Sequence, residues 1–209
     1  ARGGSVYNEG TILVGEGIGI LALGGSVYNA GTITVNDISF TENAAVSPYI
    51  VLEDGTTLVT SGALSTSSVL DLNSFSPDGT GKVALLDGGT FEAPKVVGNL
   101  HIDNSNVAHG FDTTYTAKNA IKSTDTTELN LISDSHLFNA SLADNGSDVL
   151  MTMKSFDEVV DNKSLANFLA KNYAHGNNEA FFNELKSFRD AHAFTSAMHN
   201  LTADRKSVV

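Results

Sequence analysis

Residues 3–14 read GGSVYNEGTILV, and residues 24–35 read GGSVYNAGTITV. Ten of the twelve paired positions are identical, and the two stretches start 21 residues apart. A period near 20 residues, with short β-rich runs between Gly and Asn turns, is typical of a β-solenoid. We therefore predict a mainly β protein built on a right-handed parallel β-helix. A pair of hairpins with matching loops is the alternative, which is disfavoured because the identity extends through the strands.

Stacking of the two copies would bring each residue of the first against its equivalent in the second. The apolar pairs would share an inner column, and the asparagine pair would form an amide ladder at a turn. This predicted repeat ladder consists of Val6 over Val27, Asn8 over Asn29 and Ile12 over Ile33.

The composition changes along the chain, because 16 of the 19 glycines lie within residues 1–100. We predict solenoid coils over 1–95, a β-rich cap with longer hairpins over 96–155, and a helical segment over 156–209. Ser155 and Glu158 have the spacing of a capping box, so a helix is expected to begin there. Apolar spacing in 156–209 predicts three short amphipathic helices. The first residues fall in mid-pattern, from which we expect a longer parent chain.

The composition also excludes several function classes. The chain of 209 residues contains no cysteine, which rules out disulfides, thiolate metal sites and cysteine nucleophiles. Its net charge of -12 would repel a polyanion, so we expect no nucleic-acid partner. None of the 6 histidines has a metal-ligand spacing such as HExxH, and we expect neither a metal nor another cofactor.

Enzymatic activity is not expected in this fragment, and we predict no catalytic residue. A polysaccharide lyase needs basic residues to neutralise a uronate, whereas residues 1–100 contain only Arg2, Lys82 and Lys95 as bases. A glycosidase that uses carboxylates alone stays open at this point, because the sequence contains many acidic residues.

The repeated Asn-x-Gly-Thr-Ile turns resemble those in the passenger β-helices of Gram-negative type V autotransporters. The 96–155 block resembles the autochaperone segment of that family, and Phe182–Leu201 resembles the helical stretch that leads into the translocator barrel. The segment from Phe181 to Leu201 is similar to the corresponding part of passengers that carry a subtilisin-like serine protease head. The absence of cysteine agrees with this resemblance.

The resemblance implies a non-catalytic stalk and folding-nucleus region of a virulence-type passenger, at the cell surface or secreted after passage through the outer membrane. Its partners would be the translocator barrel of the same precursor and a host cell surface or sibling cells. A protease head upstream, or an adhesin or autoaggregation surface, is the alternative. The implied folding nucleus comprises Val96, Val97, Leu129, Leu131, Ile132, Leu137, Phe138, Val149, Leu150 and Met151. A charged residue at Leu131 or Leu150 should then slow refolding.

Overall fold

A computed structural model describes residues 2–14, 20–35, 50–107 and 109–204. The strands of the first half are β1 (Arg2–Asn8), β2 (Thr11–Val14), β3 (Ile20–Asn29), β4 (Thr32–Val35), β5 (Ile50–Glu53), β6 (Thr57–Thr60), β7 (Ala63–Thr66), β8 (Val69–Asp71), β9 (Lys82–Leu85) and β10 (Thr90–Glu92). The later strands are β11 (Lys95–Ile102), β12 (Thr114–Ala117), β13 (Ile121–Lys122), β14 (Leu129–Ser133), β15 (Phe138–Leu142) and β16 (Val149–Met153). Four helices follow: α1 (Phe156–Val159), α2 (Lys163–Ala174), α3 (Glu179–Ser187) and α4 (Ala191–Asp204).

Two parallel sheets run along the stacked coils. The larger has the strand order β1-β3-β6-β9-β11-β14, with β5 beside β3 and β8 beside β11, and the other has the order β13-β10-β7-β4-β2. Strands from successive coils are neighbours, and the pairs β1–β3, β3–β6, β6–β9 and β9–β11 are parallel. The predicted β-solenoid with a small C-terminal helical region is therefore confirmed.

Inward-facing side chains of the coils form the solenoid core. Strand β11 shows the period of two, since Val96, Leu100 and Ile102 are buried while Asn99 is exposed. One coil cannot bury such a face alone, but stacked coils cover one another and remove these apolar groups from water. The buried column includes Val27, Ile33, Leu58, Leu64, Val83, Phe91, Val96 and Leu100.

The described chain forms two compact units. Unit 1 contains the described residues up to Ile102 together with Ala117–Ile132 and Leu142–Val149. Unit 2 contains Asp103–Thr116, Ser133–Ser141 and the described residues from Leu150 onward. The segment 96–155 thus contributes residues to both units. Strands β12, β16 and β15 form a third, three-stranded sheet.

The helical segment contains one helix more than the apolar spacing predicts. A helix does begin after Ser155, whose backbone N–H donates to Glu158 Oε2 at 2.6 Å, but α1 ends at Val159. Val160 is extended, and the Asn162 side chain accepts a hydrogen bond from the Leu165 N–H at 3.1 Å. This cap begins a new helix, because an Asn at that position satisfies a free amide of the first turn.

Candidate coil-stacking ladder and folding nucleus

The repeat stacks in register in the first two coils. Val6 pairs with Val27 and Asn8 with Asn29 across β1 and β3, and Ile12 pairs with Ile33 across β2 and β4. Burial differs within each pair, because Val6 is 39% exposed whereas Val27 is 2% exposed. The first coil therefore covers the second, while its own side chains remain accessible among the described residues.

Asparagine amides link the coils at the turn. Asn8 Nδ2 donates to Asn29 Oδ1 at 2.8 Å, and Asn29 Nδ2 donates to Thr60 Oγ1 at 2.9 Å and to the Ala63 carbonyl at 3.1 Å. Asn29 is 1% exposed, so its satisfied amide avoids the cost of an unpaired buried polar group. Thr60 continues the ladder where the sequence repeat has degenerated.

A second ladder, which the sequence analysis missed, is aromatic. The rings of Tyr7 and Tyr28 lie parallel, with centroids 4.9 Å apart and an interplanar angle of 10°. That separation is close to the spacing between hydrogen-bonded strands. Identity of the two tyrosines within the repeat was the signal that could have predicted this stack.

A column of glycines sets how closely successive coils approach one another at one turn. This glycine column consists of the residues that precede β2, β4, β7 and β10, namely Gly10, Gly31, Gly62 and Gly89. A Cβ on Gly31 would lie 1.9 Å from the Gly10 carbonyl oxygen, and a Cβ on Gly62 would lie 1.9 Å from that of Gly31. The next member, Gly89, would place a Cβ 2.4 Å from the Thr60 carbonyl oxygen. Only glycine permits this backbone approach, so the recurring glycine is a packing requirement of the solenoid.

The residues of the predicted folding nucleus fall in both units. Unit 1 holds Val96, Val97, Leu129, Leu131, Ile132 and Val149, and unit 2 holds Leu137, Phe138, Leu150 and Met151. Five of the ten are buried, namely Val96, Leu137, Phe138, Val149 and Met151, and the other five are half-buried. Strand alternation explains the difference, because Leu150 faces away from the side on which Val149 and Met151 are buried.

Charged side chains hold several turns of unit 1. The pKa of Asp78 is lowered to about 2, chiefly because the Thr80 backbone N–H donates to this carboxylate at 2.9 Å. Asp78 also accepts the Asp54 N–H at 3.1 Å, which ties two successive turns together. Lys95 donates to Glu128, and this hydrogen bond raises the pKa of the lysine.

Unit 2 contains a cluster of aromatic rings from the loop before β12 and from three helices. The Tyr173 ring lies 5.2 Å from that of Phe111, 5.1 Å from that of Phe182 and 6.0 Å from that of Phe156. Edge-to-face contacts at such distances add to the burial energy of the rings. The apolar faces of these helices were predicted from the sequence, but their contact with Phe111 was not.

Lys186 lies fully buried beside this cluster, where sequence reasoning would place a lysine in solvent. Its ammonium donates to the Gly110 carbonyl and to the His109 carbonyl at 3.5 Å, and it lies 5.5 Å from the centroid of the Tyr173 ring. Burial lowers the pKa of Lys186, and the charges of Glu179 and Asp112 oppose that shift. No local sequence pattern predicts this contact, because the two carbonyls that accept the hydrogen bonds lie 76 and 77 residues away along the chain.

Unit 2 also has a titratable group beside its last helices. The backbone N–H of His136 donates to the Phe188 carbonyl at 2.7 Å, and the backbone carbonyl of His136 accepts from Lys154 Nζ at 2.8 Å. The imidazole lies 5.3 Å from the Phe194 ring. Burial, and then the charge of Lys154, lower the pKa of His136.

The titration of the Tyr173 hydroxyl is a measurable property of the aromatic cluster. Its hydroxyl donates to the Asp112 carbonyl at 3.0 Å, and burial raises its pKa to about 12. Because the folded state holds this proton more tightly, we expect stability to fall as pH rises from about 10 toward 12. A rapid-mixing absorbance titration should show a tyrosinate phase near pH 12 that Tyr173→Phe lacks and Tyr28→Phe retains. Persistence of that phase in Tyr173→Phe would contradict the assignment.

Within the part of the chain that the structure describes, no three His, Cys, Asp or Glu residues converge as metal ligands. Among the same described residues, no helix has the length and apolarity needed to span a membrane. Unit 2 contains a groove of about 700 Å³ that is lined mainly by apolar residues, among them Phe111, Met153, Phe156, Ala170 and Tyr173.

No family model matches the chain, and comparisons with curated proteins and with solved structures give no significant match. The solenoid class therefore rests on the coil geometry described above.

Proposed function

We propose that this chain is a non-catalytic stalk and folding-nucleus segment of a surface-exposed or secreted autotransporter passenger. In this proposal the protein is exported through the outer membrane of a Gram-negative bacterium by the translocator barrel of its own precursor. Its function is mechanical, because two continuous sheets join the stacked coils, and kinetic, because an early-folding region directs the folding of the coils.

The observation that carries the proposal is the continuity of the larger sheet. Strand β11, which contains Val96 and Val97 of the predicted nucleus, pairs in parallel with β9 through His101↔Ala84 and Ile102↔Leu85. The same sheet continues through β6 and β3 to β1. A folded β11 would therefore offer a backbone edge to which the coil strands add one after another.

Folding in this order fits the energetics of a solenoid. Each coil stacks only on its neighbours, so the first coil must form at a cost in chain entropy before the next gains its contacts. A nucleus with buried side chains such as Val96 and Val149 lowers that cost for the coils that follow. Export without an external energy source would benefit from such stepwise folding.

Refolding kinetics test the nucleus with two matched valines of the same sheet. Val96 is 0% exposed in β11, and Val27 is 2% exposed in β3, so each Val→Ala change should cost about 2 kcal/mol. If Val96 belongs to the nucleus, Val96→Ala should slow refolding on the order of 30-fold and leave unfolding nearly unchanged. Val27→Ala should instead accelerate unfolding with little effect on refolding.

Stopped-flow refolding and unfolding of the full chain over a range of urea concentrations gives both rates. Val149→Ala, buried elsewhere in unit 1, serves as a second nucleus variant. We choose these positions over Leu131 and Leu150 because both leucines are only half-buried. The folding role is refuted if the Val96 and Val149 variants alter unfolding alone, or if Val27→Ala slows refolding as much as they do.

A further inference from the structure

A polar pocket of about 290 Å³ lies in unit 1, between strands β9 and β11 and the turns that precede β9. Its wall includes Lys82 of β9, Asn99 of β11 and Asn73 of the short 3₁₀ helix Leu72–Phe75. None of the described residues that line this outer pocket is acidic, although the chain contains 24 Asp and Glu against 12 Lys and Arg. The volume is near the lower end for small-molecule sites, which suits a ligand smaller than a drug-sized molecule.

Lys82 brings a positive charge to the outer pocket. Strands β9 and β11 pair in parallel, and their register places Asn99 beside Lys82. Because the next residues, Val83 and Leu100, are buried in the solenoid core, strand alternation directs Lys82 and Asn99 to the opposite, outer face. Among the described residues, no carboxylate forms an ion pair with the Lys82 ammonium.

Two asparagine amides add hydrogen-bond donors to the same wall. Asn73 Oδ1 accepts the backbone N–H of Asn99 at 3.0 Å, and Asn99 Oδ1 accepts from Asn130 Nδ2 at 2.9 Å. Both oxygens are therefore occupied, while neither the Asn73 nor the Asn99 NH2 group has a partner among the described residues. Gly98 permits the close approach of Asn73, since an added Cβ would lie 2.9 Å from the Asn73 backbone nitrogen.

The hydroxyl groups of the wall are already used within the turn. Ser76 Oγ accepts the Gly81 N–H at 2.7 Å and donates to Asp78 Oδ1 at 3.2 Å. Thr80 Oγ1 donates to Asp78 Oδ2 at 2.7 Å. These bonds hold the turn in place and satisfy the Asp78 carboxylate, which is not part of the pocket lining. Three groups in the wall remain free for a ligand, one ammonium and two amides, and all three are donors.

We propose that the outer pocket binds a small hydroxylated monocarboxylate such as a sugar acid. The carboxylate accepts charge-assisted hydrogen bonds from the Lys82 ammonium and further bonds from the Asn73 and Asn99 amides. One cation balances one negative charge, so a monocarboxylate fits this wall better than a sulfate or phosphate dianion in a chain of net charge -12. Most of the lining residues are polar or glycine, which favours a hydroxylated body over an alkyl chain. This binding activity is separate from the proposed folding role.

Titration of the full chain with D-glucuronate tests the proposal. D-glucose is the matched probe, because it has the same ring with a CH2OH group in place of the carboxylate. Calorimetry gives the Kd, and NMR follows the side-chain NH2 signals of Asn73 and Asn99. We expect saturable glucuronate binding with a Kd on the order of 1 mM and a shift of both signals. Glucose at the same concentrations should give neither.

Three substitutions at exposed positions make the test specific. Lys82→Gln should raise the Kd about tenfold or more, because the charge-assisted bond is lost. Lys118→Gln removes the same charge elsewhere in unit 1 and should change the Kd by less than about twofold. Asn99→Asp should abolish binding, since it keeps the oxygen that accepts from Asn130 but replaces the NH2 donor by a negatively charged oxygen. Urea unfolding checks that the variants remain folded.

The proposal fails if glucuronate does not bind, if glucose binds as tightly, or if Lys82→Gln weakens binding no more than Lys118→Gln. Binding that persists in Asn99→Asp would likewise contradict the assigned donors. Sulfate that binds more tightly than glucuronate would indicate a general anion site, and the monocarboxylate class would be wrong. These are equilibrium measurements, so their outcomes are independent of the refolding rates that test the nucleus.

Discussion

Replacing Gly31 by alanine is expected to destabilise unit 1 by about 3 kcal/mol or more, at the upper end of overpacking costs. The added methyl group would lie 1.9 Å from the Gly10 carbonyl oxygen and 2.8 Å from both the Glu9 carbonyl carbon and the Gly10 nitrogen. All three are backbone atoms, which no rotamer change can move away. The two coils would have to separate, and separation weakens the hydrogen bonds of Ala30, Gly31 and Thr32 to the first coil.

The matched control for this prediction is Gly10→Ala, the same chemical change one coil away. Its Cβ meets no described atom closer than 3.9 Å, so stability should change by less than about 1 kcal/mol. Urea unfolding followed by the β-sheet circular dichroism signal measures both variants. Equal losses in the two variants would show that the glycines serve the turn of each coil and not the stacking between coils.

Truncating Phe182 to alanine is expected to cost unit 2 about 3–5 kcal/mol, as for other buried phenylalanines. The side chain is 1% exposed and contacts the rings of Phe111, Phe156 and Tyr173 at centroid distances of 5.9, 5.9 and 5.1 Å. Its removal leaves a cavity that these rings border and cannot all fill. The loss of α3 packing should also expose the buried ammonium of Lys186, one turn further along the helix.

Phe168→Ala on α2 is the matched control, because the Phe168 side chain is 44% exposed. We expect this variant to lose about 1–2 kcal/mol, less than Phe182→Ala, because nearly half of the Phe168 side chain is already in contact with water. Thermal and urea unfolding followed by the helical circular dichroism signal compares the two. A loss in Phe182→Ala no larger than that in Phe168→Ala would contradict the role of the aromatic cluster as the core of unit 2.

Several features of the fold could be predicted because they are local or periodic in sequence. The fixed offset between Val6 and Val27 indicates stacked coils. When successive coils pair as parallel strands in a single register, equivalent residues of the repeat become neighbours. The capping box at Ser155 marks a helix start from four consecutive residues. The break after Val159 was missed, because apolar spacing continues across it and only the cap at Asn162 marks the new helix.

The candidate sites also contain some features that the sequence predicts and others that it does not. Repetition alone predicted the pairing of Asn8 with Asn29, yet the sequence does not reveal that one carbonyl fills the space beside each later glycine. The nucleus residues were chosen for apolarity, and apolarity in a strand does not say which face is buried. Val149 and Met151 therefore proved buried while Leu150, between them, is half-buried.

The sequence by itself determined that this protein is a parallel β-solenoid with a helical end, because the repeat fixes the register in which the first two coils stack. Only the tertiary structure decided how distant segments complete one another. Lys186 is buried because carbonyls of His109 and Gly110 receive its ammonium, and Phe111 joins the helices through contacts that no local pattern encodes. Contacts of this kind depend on where folding places two segments in space, which a periodic pattern specifies only for residues that belong to the repeat.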